Sequence, residues 1–183
     1  MGNSASRKKA SGQRKRQIRT KAPRLREEPF PARFVADVML GRLAKWLRIA
    51  GFDVLYSNRC TDDELIALSL GEDRILLSRD TRLLVRKSVR KFVFLESERT
   101  FEQIRQVFRV TETKLLPGLL SRCLACNMVL TDISRDRARD RVPPYVLQTQ
   151  TQFKTCPECG RCYWAGTHRQ SVLRTLETLL KPQ

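Results

Sequence analysis

Short apolar runs and amphipathic stretches alternate along most of this chain. Phe34-Val35-Ala36, Val54-Leu55-Tyr56, Arg74 to Ser78 and Phe92-Val93-Phe94-Leu95 read as strands, each bounded by polar residues or glycine. Runs this short, apolar on both faces, are typical of a parallel sheet covered on both sides. Between the first two, Leu40, Leu43, Ala44 and Leu47 recur at i, i+3, i+4 and i+7 and predict a helix from about Val38 to Ala50. Gly51 closes it in the left-handed conformation. A second helix opens at Thr61-Asp62-Asp63-Glu64, carries Leu65, Ile66, Leu68 and Leu70, and ends at Gly71. Leu83, Leu84 and Val85 mark a third helix, and Phe101, Ile104, Val107 and Phe108 one side of a fourth. Four strands alternating with four helices define an α/β fold.

This order places acids just past the ends of strands, where open α/β sheets bind ligands. Asp37 follows the first strand, Asp62 follows the second at the start of its helix, and Asp80 follows the third. Each has a simpler explanation. Thr61 and Glu64 have the spacing of a capping box, acids in a first turn favour the helix dipole, and Asp80 suits an N-cap. Yet three successive parallel strands present their ends at one edge, and carboxylates gathered there can hold Mg²⁺ or Mn²⁺ beside a phosphate. Such an ion polarises a phosphodiester and activates water, so no Ser, Cys or His nucleophile is required.

Charge narrows the partner. The 36 Lys and Arg outnumber 19 Asp and Glu, for a net charge of +17. Residues 1–26 alone carry ten basic residues and no acidic one, and the remainder is basic as well. A polyanion is the expected partner, nucleic acid first and an acidic membrane surface second. Without apolar periodicity, residues 1–31 should form a disordered tail: a solubility tail, a phosphate-binding arm or a targeting segment. Met1-Gly2 with Ser6 fits a myristoylation pattern, a short and common one. No run approaches the roughly 18 apolar residues of a membrane span, and no signal-peptide core follows the basic start. A cytoplasmic protein with no membrane association is the expectation. Arg42, Lys45 and Arg48 on the first helix, with Arg79 and Arg82 after the third strand, are candidate phosphate binders, although cations also fill ordinary solvated faces.

Cys123-Leu-Ala-Cys126 and Cys156-Pro-Glu-Cys159 form two Cys-X-X-Cys knuckles 29 residues apart. Two thiolates from each tight turn make a tetrahedral structural zinc site. The separation exceeds the roughly 15 to 20 residues of the tightest ribbons, so a long loop or hairpin should fill it. Cys60 and Cys162 are expected to pack, and His168 to make a structural hydrogen bond. Val172, Leu173, Leu176 and Leu180 predict a closing helix over residues 170–180.

Several ordered motifs resemble a known family. They are Ala36-Asp37 through Leu40-Gly41-Arg42-Leu43-Ala44 and Trp46-Leu47-Arg48; Asp62; and Ile75 to Asp80. Beyond these come Ser121-Arg122-Cys123 with Cys126-Asn127, and Cys156-Pro157 with Cys159-Gly160-Arg161 and Tyr163 to His168. Together they resemble the Mut-seven C-terminal RNase family, a PIN-like nuclease domain joined to a zinc ribbon. The resemblance covers roughly Phe34 to Leu180 and implies a PIN-like domain over 32–115 and a zinc ribbon with its closing helix over 116–183; the disordered basic tail over 1–31 lies outside it. The resemblance further implies a divalent-metal nuclease acting on RNA, with Asp37, Asp62 and Asp80 at the positions of the acidic site, and the leading expectation is a metal-dependent endoribonuclease in which they are the catalytic metal ligands. RNA is then the partner, with tRNA, rRNA and the ribosome as candidates. PIN nucleases usually assemble four acids; Asp63, Glu64, Glu96 and Glu98 are candidates for the fourth. A noncatalytic RNA- or ribosome-binding protein that keeps the nuclease scaffold is the alternative, and a DNA-directed nuclease a third reading.

Overall fold

The computed structural model describes residues 32–113, 116, 118–166 and 169–181. The basic tail, Pro117 and His168 lie outside them. Four parallel strands, β1 (Arg33–Ala36), β2 (Asp53–Tyr56), β3 (Ile75–Ser78) and β4 (Phe92–Phe94), form one sheet in the order β2-β1-β3-β4. Helix α1 (Gly41–Ile49) carries the chain from β1 out to β2. Helix α2 (Asp62–Gly71) carries it back past β1 to β3, and α3 (Thr81–Leu84) onward to β4. Parallel crossovers are right-handed, so this reversal of direction must put α1 on one face and α2 and α3 on the other. Two separate cores follow from it. One joins Phe34, Ala36, Val54, Ile75, Leu77 and Val93 to α1 and to α4 (Thr100–Val110). The other joins Val35, Leu76 and Phe92 to Leu65 and Ile66 of α2 and to Leu83 and Leu84 of α3.

Local boundaries differ from the sequence pattern in two places. A single 3-10 turn, Val38–Leu40, precedes α1, because Asp37 caps it with its own side chain. Helix α2 runs through Gly71, Asp73 takes the left-handed conformation instead, and Leu70 faces solvent. Gly51 does adopt positive φ (98°), and a Cβ there would lie 2.2 Å from the Gly118 carbonyl oxygen. Only glycine lets the chain after α4 cross this corner.

The remainder builds a second, antiparallel sheet, β5 (Thr131–Ile133), β6 (Phe153–Thr155) and β7 (Cys162–Trp164), in that order. Between the knuckles the chain forms more than a loop. Helix α5 (Arg135–Ala138), a 3-10 turn and α6 (Pro144–Thr149) bury Ala138, Val142, Val146 and Phe153 in a small core of their own. The last helix, α7 (Arg169–Leu180), places Leu176 and Leu179 in the α1/α4 core of the parallel sheet. Leu179, outside the predicted stripe, is buried, while Leu173 is half-exposed. Among the described residues no helix is long and apolar enough to cross a membrane.

Candidate functional site: a carboxylate crevice and a cysteine cage

The connections leaving β1 and β3 depart to opposite faces, which makes the gap between these strands the switch point of the sheet, the usual ligand position in open α/β folds. Asp37 and Asp80 flank it. The Asp37 amide extends the ladder by donating to the Leu77 carbonyl (3.0 Å). Its carboxylate is only 4 % exposed. Oδ1 accepts from the Val38 N–H (2.6 Å), and Oδ2 accepts from the Ser78 hydroxyl (2.5 Å). Ser78 Oγ in turn accepts from the Asp80 N–H (2.9 Å). Asp80 Oδ1 caps α3 by accepting from the Arg82 N–H (2.7 Å), and its other oxygen has no hydrogen bond among the described residues. One serine thus ties the two acidic strand ends together. A fully buried Ser at the end of an apolar strand carries no periodic signal, so the pattern alone passes over it.

Asp62 stands differently. It is exposed in the first turn of α2, 4.0 Å from Arg86, which also pairs with Asp63. Glu64 completes the capping box with Thr61: its side chain accepts from the Thr61 N–H (2.7 Å) while its own N–H donates to the Thr61 hydroxyl (3.3 Å). Glu96 is exposed, and Glu98 pairs with Arg79 (2.9 Å). Among the described residues, the only group of three or more potential metal-binding side chains with ligand atoms within 4.8 Å of one another is a set of cysteines. The three aspartates are therefore spread more widely than a preformed three-carboxylate site. Cys60 packs beside the second core, and burial, then the nearby carboxylates of Glu64 and Asp37, push its thiol up. It is held as a neutral thiol, not as a nucleophile.

The five candidate phosphate binders separate into three kinds. Arg42, Lys45 and Arg82 are exposed and form no ion pair among the described residues. Arg79 is engaged by Glu98, while its Nε is buried without a partner. Arg48 leaves the set: it is 4 % exposed, and its guanidinium is consumed by backbone carbonyls. Nε and Nη2 donate to Val54 O (3.0 and 2.8 Å), and Nη1 donates to Leu124 O (3.1 Å) and Ala125 O (2.8 Å).

Those carbonyls belong to the first cysteine knuckle. Both knuckles share one hydrogen-bond pattern. The first Cys N–H donates to the carbonyl five residues on, Cys123 to Met128 (2.8 Å) and Cys156 to Arg161 (3.0 Å). The residue four on, Asn127 or Gly160, donates back to that Cys carbonyl with φ of 70° or 69°. These turns bring Cys123, Cys126, Cys156 and Cys159 together, with sulfur separations of 3.3 to 3.6 Å for three of the pairs. A disulfide needs about 2.05 Å. Four sulfurs about 2.3 Å from a central ion stand roughly 3.8 Å apart, so the cage fits a tetrahedral cation. Burial pushes the Cys123 thiol up, but the Cys126 N–H and the Tyr163 hydroxyl (3.1 Å) outweigh it and bring it down to about 6. Burial and hydrogen bonds to the other sulfurs push Cys126 up to about 12. Cys162 lies outside the cage and packs in the small ribbon core.

The knuckle also caps the open edge of the parallel sheet. Edge strand β2 turns the Val54 N–H and C=O outward; the first donates to Asn127 Oδ1 (3.0 Å) and the second accepts from Arg48. Asn127 Nδ2 donates to Asp53 Oδ1 (2.8 Å), which also pairs with buried Arg74 (2.6 Å). Burial raises the Asp53 carboxyl, but Arg74 and Asn127, together with the charge of Arg122, hold it below the usual range. Asp53→Ala is expected to cost about 2 kcal/mol at neutral pH, because Arg74, 5 % exposed, would keep Glu72 (2.8 Å) but lose its closer acid, and Asn127 and Arg122 would lose theirs. The lowered folded-state pKa means this contribution is complete at neutral pH and fades only as pH falls below about 4. Urea melts at pH 7 check it; an unchanged midpoint refutes the role.

Parallel α/β topology, acids at the switch crevice and a four-cysteine ribbon together describe a nuclease-like domain carrying a metal-ribbon appendage. Residues 32–176 match the family model described as the Mut7-C RNAse domain, and the chain belongs to that family. No curated protein and no solved structure matches it.

Proposed function

We propose that this protein is a divalent-metal-dependent endoribonuclease whose reacting centre is the crevice between β1 and β3. The observation that carries this reading is that Asp37 and Asp80 sit together at the switch point, Ser78 donating to the Asp37 carboxylate and accepting from the Asp80 backbone N–H. Asp37, Asp80 and, from α2, Asp62 would hold Mg²⁺ or Mn²⁺. These cations keep several waters and take one or two carboxylates plus substrate phosphate, so a wide acid cluster suits them. When bound, such an ion activates water and stabilises the leaving oxygen of the phosphodiester. Ser78 and the Val38 N–H fix the Asp37 carboxylate, and the free oxygen of Asp80 faces no competing donor in the described chain. Arg42, Lys45 and Arg82 supply exposed cationic contacts for RNA phosphates, with Arg79 beside the same edge.

The cysteine cage would hold structural zinc and, through the basic surface of the ribbon, aid RNA binding. Free thiols throughout the chain suit a reducing cytoplasm, where tRNA, rRNA or the ribosome would meet it. A second reading, a noncatalytic RNA-binding protein, rests on the spread of the three aspartates. Incubation with equal-length RNA and DNA, in Mn²⁺ and in EDTA, separates the readings. Internal cleavage of RNA in Mn²⁺ that EDTA abolishes is expected; salt-sensitive binding without cleavage in any metal favours the second.

A further inference from the structure

A cavity of about 590 Å³ opens between α1 and α4, within the roughly 300–1,000 Å³ of small-ligand sites. Its lining includes Arg42 and Trp46 from α1, and Arg99, Phe101 and Arg105 from the start of α4. Trp46 and Phe101 meet edge to face, with ring centroids 5.2 Å apart, and Phe101 remains 47 % exposed. Large aromatic rings normally bury their faces, so one kept open beside a second ring needs a reason. The polar rim is cationic. Glu102 is its acid, and that carboxylate is already held by Ser97 and Arg99. Arg105 Nε is buried with no hydrogen-bond partner. Among the described residues no acceptor therefore competes at that nitrogen for the Arg105 guanidinium.

Position supplies the rest. Helices α1 and α4 cover the same face of the parallel sheet, and each begins just beyond the carboxyl end of a strand. The cavity therefore opens at the edge that carries Asp37 and Asp80. Between Asp37 and Arg42 lie a 3-10 turn and the start of α1, about 9 Å of rise, so one polynucleotide strand can touch both. We infer that this cavity is a nucleotide subsite: it stacks one unpaired base of an RNA strand on the exposed ring of Phe101, with Trp46 set steeply against that ring, and Arg42, Arg99 and Arg105 hold the flanking phosphates. An aromatic platform accepts any base but needs a free base face, which a duplex does not offer. The subsite thus makes single-stranded RNA or an unpaired loop the substrate class, an inference that rests on the nuclease reading for its role in cleavage but not for binding.

The test is binding of a fluorescently labelled, unstructured 12-nucleotide RNA to the full chain in EDTA, alone and annealed to its complement. Phe101→Ala is expected to weaken single-strand binding about 5- to 150-fold, the loss for one stacked base, and to leave duplex binding unchanged. Phe101→Tyr restores it. Arg105→Gln lowers the slope of log affinity against log salt by about 0.7, one phosphate contact of a single strand. Equal weakening of single-strand and duplex binding by Phe101→Ala, or no weakening at all, overturns the subsite. So does a parent protein that binds no single-stranded RNA at low salt. Binding that behaves as expected without cleavage in any metal sinks the nuclease reading and leaves the subsite standing.

Discussion

Replacing Cys126 with serine is expected to strip the cage of zinc and to lower the thermal midpoint of the whole molecule by 10 °C or more. The Cys126 sulfur lies 3.4 Å from Cys123 and 3.3 Å from Cys156, bridging the two knuckles. A structural zinc contributes on the order of 10 kcal/mol of folding free energy, and each kcal/mol lost moves the midpoint of a chain this size by roughly 2–4 °C. The effect should spread because the first knuckle holds Asn127 in its left-handed conformation and presents the Leu124 and Ala125 carbonyls to Arg48. When the turn loosens, the Val54 N–H loses its Asn127 partner and the edge of β2 opens to water or to another chain. Parent protein should contain one zinc per chain, and the variant well under half of that. Amide exchange at Val54 reads the coupling, and it should accelerate in Cys126→Ser. Arg48→Met, which keeps all four cysteines, should accelerate the same amide while retaining zinc. Loss of zinc with unchanged exchange at Val54 would show that the knuckle does not cap the sheet; absence of zinc from the reduced parent protein would remove it from the fold altogether.

This coupling explains what the sequence could and could not convey. The four strands are legible because each is a short apolar run between polar residues or glycine, and the turn at Gly51 because only glycine fits a backbone 2.2 Å from a would-be Cβ. The cysteine cage is legible from spacing alone, since each knuckle is a local turn. Arg48 was the misleading residue. Arg42, Lys45 and Arg48 follow one another at i, i+3 and i+6, which looks like one helical face. At 100° per residue, however, each step drifts by about 60°, so Arg48 lies about 120° from Arg42 and points at the sheet edge. Its partners Leu124 and Ala125 are 76 and 77 positions away, where no periodicity can announce them. The same holds for Ser78 and Asp37, 41 positions apart. In the ribbon, Pro143-Pro144 interrupts the apolar spacing of Ala138, Val142 and Val146, hiding two short helices where a loop or hairpin is the natural expectation. What sequence conveys well here is each strand end by itself; which ends share a serine is a property of the sheet order.

Asp37→Asn is expected to reduce RNA cleavage at least about 100-fold while leaving the fold and RNA binding in EDTA close to those of the parent. The substitution is nearly isosteric at a site only 4 % exposed, so no cavity forms. The amide oxygen can still accept from the Val38 N–H and cap the turn. The new NH₂ faces the Ser78 hydroxyl, which must give up its donation to Asp37 and accept instead, a change that costs about 1 kcal/mol. What disappears is the negative charge, and with it the ligand that a hard divalent cation requires. Ser78→Ala separates charge from position: Asp37 keeps its carboxyl group but loses the hydroxyl that orients it and ties it to the Asp80 N–H. A loss of 10- to 100-fold, partly recovered at high Mn²⁺ concentration, is the signature of a positioning residue behind a metal ligand. Asp62→Asn provides the internal comparison, because Asp62 is exposed and already near Arg86. A smaller effect there than at Asp37 would assign the ion to the β1/β3 crevice, whereas equal losses would require α2 to close on the crevice when substrate binds. If Asp37→Asn cuts as fast as the parent protein, the crevice is not the reacting centre, and the spread of the acids favours an RNA-binding protein that keeps the nuclease scaffold.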